Sequence, residues 1–294
     1  MNFISIKSIR INLVAAESLA CCYLRMKKIL VPTDFSSHSD DALSVAVWLA
    51  KKSGAEIFLM HLERIMNSVP STDNADEEKI RSSRNKLFGI ADRLEKNGLS
   101  IHTIFVEDYG LEEIEKYPEP YGIDFIVMGS HGQSGFKDYI IGSNTRRVVR
   151  GAKVPVLVVK SLGGAEIHLK KILFASSFRG DLHQAINTLF DFAKLCQAEV
   201  HFLFINLFYH LIREEQAMDL METYFQPSGN SKITRSIVES NDEETGIRSY
   251  LDNDPVDLIV VSMQRSGIPM RWIKPPLAER LIQSSSKHVL ILPE

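Results

Sequence analysis

A glycine-rich segment in the first half of the sequence has the residue types and spacing that hold phosphate. It reads Gly129-Ser130-His131-Gly132, then nine residues, then Gly142-Ser143-Asn144 at the start of a helical pattern. Glycines let backbone amides approach an anion, and the unpaired amides and dipole of a helix start attract negative charge. The alternative is structural: a glycine-rich turn followed by a serine that caps the helix.

A carboxylate follows the first buried-type strand. Asp34 comes directly after the apolar run that ends at Val31-Pro32-Thr33, and a helical pattern begins just beyond it. In this place a carboxylate can accept a hydrogen bond from an amino or hydroxyl group of a ligand, or it can cap the following helix. From the residues alone, capping is the more common role.

Apolar patterns place both segments at the ends of strands. Short apolar runs alternate with segments whose apolar residues recur every three or four residues, which indicates strands alternating with helices and predicts a doubly wound α/β fold with a parallel sheet. In such a sheet, ligands bind beyond the carboxyl ends of the strands, where the strand order reverses. A short helix over Leu111–Glu115 is predicted to end at Pro118. The predicted strands of the first half are Ile29–Val31, Ile57–Leu62, Leu99–Val106, Phe125–Met128 and Val154–Val159.

The chain repeats itself. Lys27–Glu63 aligns without a gap on Lys170–Asn206, 143 residues later, and Ile123–Val159 aligns on Val256–Leu292, 133 residues later. Such a repeat predicts a tandem duplication with two five-stranded domains, which we place at residues 26–161 and 162–294. The last strand of each copy is a candidate for an edge of its sheet, and an exposed apolar edge tends to pair with another strand.

Length and composition exclude several classes of protein. A chain of 294 residues with 45% hydrophobic and 24% charged residues fits two globular domains, and not a disordered or multi-span membrane protein. The net charge of −3 gives no electrostatic reason to expect nucleic acid or an anionic membrane as a partner. Three cysteines (Cys21, Cys22 and Cys196) are too few for a disulfide framework, which favours the cytoplasm.

Residues 1–25 are predicted to be an extension outside both domains. Lys7 and Arg10 precede an apolar run, as in a signal peptide, but Glu17 interrupts that run. From Met26 the sequence changes to a charged start that leads straight into a buried-type strand. We therefore expect Met26 to be the biological start, with export as the alternative.

The spacing Gly129-x2-Gly132-x9-Gly142-Ser143, together with the opening strand Val31–Ser36, resembles the universal stress protein family. The resemblance covers nearly all of Met26–Glu294 as a tandem pair, and the first half matches better. It implies a Rossmann-like fold of the adenine nucleotide alpha hydrolase type and ATP as the ligand, with Mg²⁺ at the phosphates. It also implies that Asp34 and Leu62 contact adenosine while the glycine pattern holds ribose and phosphates. In proteins of this family the last strand builds the dimer, so the resemblance further implies that the last strands of the two copies pair within the chain and form a pseudo-dimer. The implied nucleotide-binding residues are Pro32, Thr33, Asp34, Leu62, Met128, Gly129, Ser130, His131, Gly132, Gly142, Ser143 and Asn144.

The second copy departs from this pattern. Asp34 aligns with Ser177, and two prolines stand where backbone donors would be needed for phosphate. We expect no nucleotide site in this degenerate copy; a rearranged site that uses Arg265 and Arg271 is the alternative. In the second copy Gly129, Gly132, Gly142 and Ser143 become Ser262, Arg265, Pro275 and Pro276.

These observations predict a stress-response regulator that binds ATP in its first domain and alters its contacts with an unidentified protein partner. Two alternatives stay open: slow ATP hydrolysis or autophosphorylation, and a scaffold that binds no nucleotide. No base and nucleophile can be paired in the sequence, and His131 is expected to act through its backbone, so an enzyme is not the favoured interpretation. The sequence has no P-loop, G-x-G-x-x-G or H-E-x-x-H motif, and it leaves the assembly of two chains into a homodimer open.

Overall fold

A computed structural model of the chain describes residues 26–64, 75–108, 114–131, 141–224, 233–263 and 276–293. Several predictions fall outside the described residues: the extension, Leu111 to Glu113 of the predicted short helix, Gly132, Arg265, Arg271 and Pro275. The strands of the first half are β1 (Lys28–Pro32), β2 (Glu56–Arg64), β3 (Ile101–Asp108), β4 (Phe125–Gly129) and β5 (Val156–Val159). Its helices are α1 (Ser37–Ser53), α2 (Ala75–Glu95), α3 (Pro118–Tyr121) and α4 (Ser143–Gly151).

The second half repeats this arrangement. Its strands are β6 (Lys171–Ser176), β7 (Glu199–Leu207), β8 (Ile233–Ser240), β9 (Leu258–Met263) and β10 (His288–Pro293). Its helices are α5 (His183–Cys196), α6 (Glu214–Glu222), α7 (Glu243–Asn253) and α8 (Leu277–Ser284).

All ten strands form one sheet in the order β3-β2-β1-β4-β5-β10-β9-β6-β7-β8. Neighbouring strands within each half are parallel, and the strand order reverses between β1 and β4 and again between β6 and β9. The prediction of two doubly wound, Rossmann-like five-stranded α/β units is confirmed. The two reversal points are the places where a fold of this kind forms its ligand clefts.

The two halves join through β5 and β10, so the expected pairing of the last strands is confirmed, and the structure shows that it is antiparallel. Leu157 lies opposite Leu290, and these two residues are equivalent in the 133-residue repeat. A pseudo-two-fold axis therefore passes through this pair, and the chain forms an intramolecular pseudo-dimer. The boundary between residues 161 and 162 stays a prediction.

Alternating side chains of the strands fill two apolar layers, one on each face of the sheet. On one face Ile29 and Val31 pack with apolar residues of α1, α2, α5 and α6. On the other face Leu30 packs with residues of α4, α7 and α8. Because both faces are covered, the strands read as continuous apolar runs in the sequence.

Two local expectations differ from the structure. Pro118 does not end a helix: it is the first residue of α3, where its missing N–H costs nothing, and a separate 3₁₀ turn covers Ile114–Lys116. Helices α6 and α7 were not identified in the sequence, because their apolar residues are few and separated by acidic ones. Among the described residues, no helix is both long and apolar enough to cross a membrane.

Candidate functional site

A cavity of about 180 Å³ lies at the carboxyl ends of β1, β2 and β4, at the reversal point of the first half. Ten of the twelve residues implied by the resemblance line it, so the fold brings together segments that are up to 112 residues apart in the chain. Those ten are Pro32, Thr33, Asp34, Leu62, Met128, Gly129, His131, Gly142, Ser143 and Asn144.

Of the other two, one lies beside the cavity and one is not described. Ser130 is buried behind the wall, and its Oγ is 2.8 Å from Nδ1 of His131. The backbone N–H of Ser130 donates to the carbonyl of Val159, which ties this segment to β5. Gly132 lies outside the described residues.

The turn after β1 gives Asp34 its position. Asp34 does not cap helix α1: the cap is Ser36, whose side chain accepts a hydrogen bond from the N–H of Ser39. One oxygen of Asp34, Oδ1, accepts hydrogen bonds from the N–H and hydroxyl of Ser36. The backbone of Phe35 has a φ of 62°, in the left-handed region where a bulky residue is strained. The turn thus holds a carboxylate at the cavity wall by hydrogen bonds that fix its rotamer, in a role separate from capping.

The end of β4 packs against the first turn of α1. A Cβ added to Gly129 would lie 2.8 Å from the carbonyl oxygen of His38, closer than real Cβ contacts allow. Glycine is therefore required at this position by a close approach between two backbone segments. Thr145 Oγ1 donates to the carbonyl of Gly129 at 2.9 Å, which also joins the end of β4 to the start of α4.

Helix α4 begins at the cavity without a side-chain cap. Gly142 is the N-cap residue, and it has no side chain that could accept a hydrogen bond from the first turn. The serine-cap alternative for Ser143 is therefore wrong, because Ser143 is already the first helical residue. The first N–H groups of a helix have no partner inside it, so this end of α4 offers hydrogen-bond donors and a favourable dipole for an anion.

A buried polar network supports the wall from the opposite face of the sheet. His61 is 6% exposed; its Nδ1 lies 2.8 Å from the carbonyl oxygen of Thr33 and its Nε2 lies 3.2 Å from Glu63. The Glu63 carboxylate also pairs with Lys79 at 2.5 Å. Burial raises the pKa of Glu63, but hydrogen bonds from Lys79, Ser83 and His61 outweigh it, so the pKa is lowered and Glu63 stays ionised.

This network positions a backbone carbonyl and offers no base to the cavity. Met60 and Leu62 line the cavity, so His61 between them on β2 points to the other face. Its ring stacks on Phe35, with centroids 4.3 Å apart. Both ring nitrogens of His61 are occupied by Thr33 and Glu63, which leaves neither of them for a reacting group.

Four lining residues were not predicted from the sequence. Met60 could have been predicted, because it shares a face of β2 with Leu62 at a spacing of two. Ser39 and Ile114 come from segments whose approach to the cavity depends on tertiary packing. Thr145 reads as an ordinary residue of α4. The described residues contain no group of three or more His, Cys, Asp or Glu side chains that could hold a metal ion.

A second cavity, of about 270 Å³, occupies the equivalent place at the reversal point of the second half. Its lining has Ser177 in place of Asp34, Ser262 in place of Gly129, and Pro276 in place of Ser143. Helix α5 begins at His183, three residues later in the repeat than α1, and Ser262 carries a Cβ at the position where Gly129 approaches His38. The second half keeps a cleft but has lost the carboxylate and the glycine.

Comparisons with known proteins agree with this architecture. The model of the universal stress protein family matches residues 26–160. A universal stress protein of Methanocaldococcus jannaschii is 34% identical over 153 residues, which are 46% of this chain and 94% of that protein. Another from Bacillus subtilis is 30% identical over 145 residues, which are 45% of this chain and 98% of that protein.

A solved structure extends the likeness of the fold to both halves. The crystal structure of a universal stress protein from Archaeoglobus fulgidus superposes with a TM-score of 0.71 at 21% sequence identity, and the match covers 93% of this chain and 98% of that one. Because the identity is low, this likeness concerns the fold. The family model and the two relatives carry the assignment, and the chain belongs to the universal stress protein family.

Proposed function

We propose that the chain is an ATP-binding regulator of the stress response, with one adenine nucleotide bound in the first half and none in the second. The observation that carries this proposal is the first-half cavity, whose lining includes both a carboxylate held by hydrogen bonds and the N-terminal residues of helix α4. Asp34 suits an amino or hydroxyl group of adenosine, and the start of α4 suits phosphate.

The cavity is smaller than a whole nucleotide is expected to need. At about 180 Å³ it is smaller than the roughly 300–1,000 Å³ of a typical ligand pocket. It can take the adenosine portion against Asp34 and Leu62, with the phosphates at the start of α4. Mg²⁺ would then be held by phosphate oxygens and water, as it commonly is at nucleotide sites. The backbone N–H groups at the start of α4 would donate to the phosphates.

A regulator fits the site better than an enzyme does. His61 is paired with the carboxylate of Glu63, but its side chain points to the other face of the sheet, away from the cavity. His131 lines the cavity, but the hydroxyl beside its Nδ1 belongs to Ser130, which is buried and does not line the cavity. Among the described residues of the site, nothing else favours slow hydrolysis or the scaffold alternative. A cytoplasmic location and an unidentified protein partner are parts of the same proposal.

Calorimetric titration of ATP and AMP, with Mg²⁺, tests the assignment to one half. Asp34→Ser copies the residue of the second half and is expected to weaken ATP binding at least about tenfold, as for loss of a hydrogen bond to a charged group. The matched control Ser177→Asp restores the carboxylate in the second half and should leave the stoichiometry at one. Unchanged affinity in Asp34→Ser, or loss of binding only in second-half variants, would contradict the proposal.

A further inference from the structure

The contact between the halves contains a charge pattern that differs on its two sides. The carboxylate of Glu279 on α8 is 2% exposed, and Arg150 on α4 donates to both of its oxygens, to Oε2 at 3.0 Å. Arg146, one turn earlier on α4, lies 3.6 Å from the same carboxylate. The carboxylate of the second half thus meets two guanidinium groups of the first, in a setting that excludes most water from the acid.

The pseudo-two-fold axis shows what each half would meet in another pairing. In the repeat, Arg146 is equivalent to Glu279 and Arg150 is equivalent to Gln283. Two first halves joined through β5 would bring Arg146 and Arg150 of one against the same arginines of the other. Two second halves joined through β10 would bring together two copies of Glu279 with no cation. Only the pairing of a first half with a second half places opposite charges in contact.

A hydrogen bond beside the axis has the same asymmetry. The backbone N–H of Lys160 donates to Nδ1 of His288 at 3.0 Å. In the repeat, His288 is equivalent to Pro155 and Lys160 is equivalent to Pro293. A pair of first halves would lack the imidazole acceptor, and a pair of second halves would lack the N–H donor. Burial lowers the pKa of His288 and so favours the neutral ring, which can accept this bond.

We propose that these residues decide which halves pair: the charges of Arg146, Arg150 and Glu279, with the Lys160–His288 hydrogen bond, select the first half for the second and disfavour either half pairing with itself. The edge strand β5 is apolar and fully buried by β10, so the same edge would otherwise suit another copy of itself. The partner that fits this surface is the second half of the chain, because its carboxylate attracts the two arginines. The first half of another molecule is disfavoured, because its arginines would repel them. This inference does not depend on nucleotide binding.

One substitution should reverse the preference. Arg146→Glu would make the first half self-complementary, because the new carboxylate of each copy would meet Arg150 of the other, twice. In the native pairing the same change places a second carboxylate beside Glu279. Two first halves of different molecules should then compete with the intramolecular pairing, which is favoured by the high effective concentration of linked halves.

A cysteine on the pseudo-axis reports which pairing forms. In the full chain with Cys21→Ser and Cys22→Ser, Leu157→Cys lies opposite Leu290 in the native pairing but opposite its own copy when two first halves pair. Facing residues of an antiparallel pair lie within the reach of a disulfide. Cys196 is buried, and burial raises the pKa of its thiol to about 12, so it does not compete.

The readout is the fraction of disulfide-linked dimer on oxidation, at two protein concentrations, with folding checked by circular dichroism. We expect little dimer with native charges and at least about a tenfold rise with Arg146→Glu, given the size of coupling between close charge pairs. The full reversal, Arg146→Glu with Arg150→Glu and Glu279→Arg, should return the chain to monomer. The control Arg147→Glu makes the same change one residue along α4 and should give no rise.

Three results would overturn the proposal. One is an unchanged dimer fraction in folded Arg146→Glu. Another is an equal dimer fraction in Arg146→Glu and in the full reversal, which contains the same substitution and restores opposite charges between the halves. Dimer in the Arg147→Glu control would likewise assign the effect to net charge and not to the contact with Glu279.

Discussion

The close approach of β4 to α1 makes Gly129→Ala a demanding test of the cavity's construction. The new Cβ would lie 2.8 Å from the carbonyl oxygen and 3.0 Å from the carbonyl carbon of His38. Ordinary contact begins at about 3.4 Å, so the first turn of α1 must move by about 0.6 Å. Backbone atoms are in contact on both sides, and no flexible side chain can turn away to make room.

The magnitude follows from overpacking. Inserting a methyl group into a packed contact of this kind costs about 1–3 kcal/mol. A glycine-to-alanine change without a clash would instead stabilise by about 0.4–1 kcal/mol through the unfolded chain. Movement of α1 would also displace Ser39, whose Oγ is 3.1 Å from that of Thr33 in the cavity wall. We therefore expect lower stability and weaker ATP binding from the same substitution.

Urea unfolding supplies the measurement, and α2 supplies the control. Gly89 is exposed in the interior of α2, and a Cβ there would meet nothing within 4 Å. Gly89→Ala should raise the free energy of unfolding by about 0.5–1 kcal/mol, since alanine is the better helix former. The two substitutions should therefore differ in sign. If Gly129→Ala unfolds at the same urea concentration as the native chain or a higher one, the argument from close approach is refuted.

Three further predictions concern the buried polar groups. His61→Phe removes a hydrogen-bond partner from Glu63 and should lower the free energy of unfolding by about 1–3 kcal/mol in urea titrations; an unchanged midpoint would show that the network contributes nothing. Burial lowers the pKa of His288, so the unfolded chain binds the proton more readily, and stability present above about pH 6.5 should be lost as the pH falls below that value. In unfolding curves at pH 7.5, 6.5 and 5.5, His288→Gln should reduce the dependence of the unfolding free energy on pH. An equal dependence in the variant and the native chain would contradict this prediction. Cys196 should be alkylated only under unfolding conditions, because burial raises the pKa of its thiol to about 12. Mass spectrometry would locate the labelled cysteines, and labelling of Cys196 in the native chain at pH 8 would contradict its burial.

Most of the fold could be predicted from the internal repeat of the sequence. A gapless alignment of Lys27–Glu63 on Lys170–Asn206 predicts two copies of one unit, and apolar strands that alternate with helices leave few topologies for each copy. The pairing of β5 with β10 could be expected because each copy ends in an apolar strand and because the resembling family builds its dimer with that strand. The boundaries of short helices were harder to predict, because a proline such as Pro118 is equally compatible with ending a helix and with beginning one.

The candidate site was predictable where it depends on local sequence and not where it depends on packing. Asp34 and the glycine spacing can be read directly, because each follows a strand that ends at the reversal point. The roles of Ser36 as the cap and Gly142 as the N-cap residue depend on where each helix begins, which sequence patterns give only to within a few residues. The contact between Glu279 and α4 joins residues 129 apart and has no local signal at all.

Native mass spectrometry of the full chain with ATP and Mg²⁺ tests the central claim most directly, because it counts the nucleotides bound to each chain. The proposed function predicts one ATP per chain, with the bound form absent or greatly reduced in Asp34→Ser. Two ATP molecules per chain would contradict the assignment of an empty second half. A chain that stays unliganded at millimolar ATP would contradict nucleotide binding itself and favour the scaffold alternative.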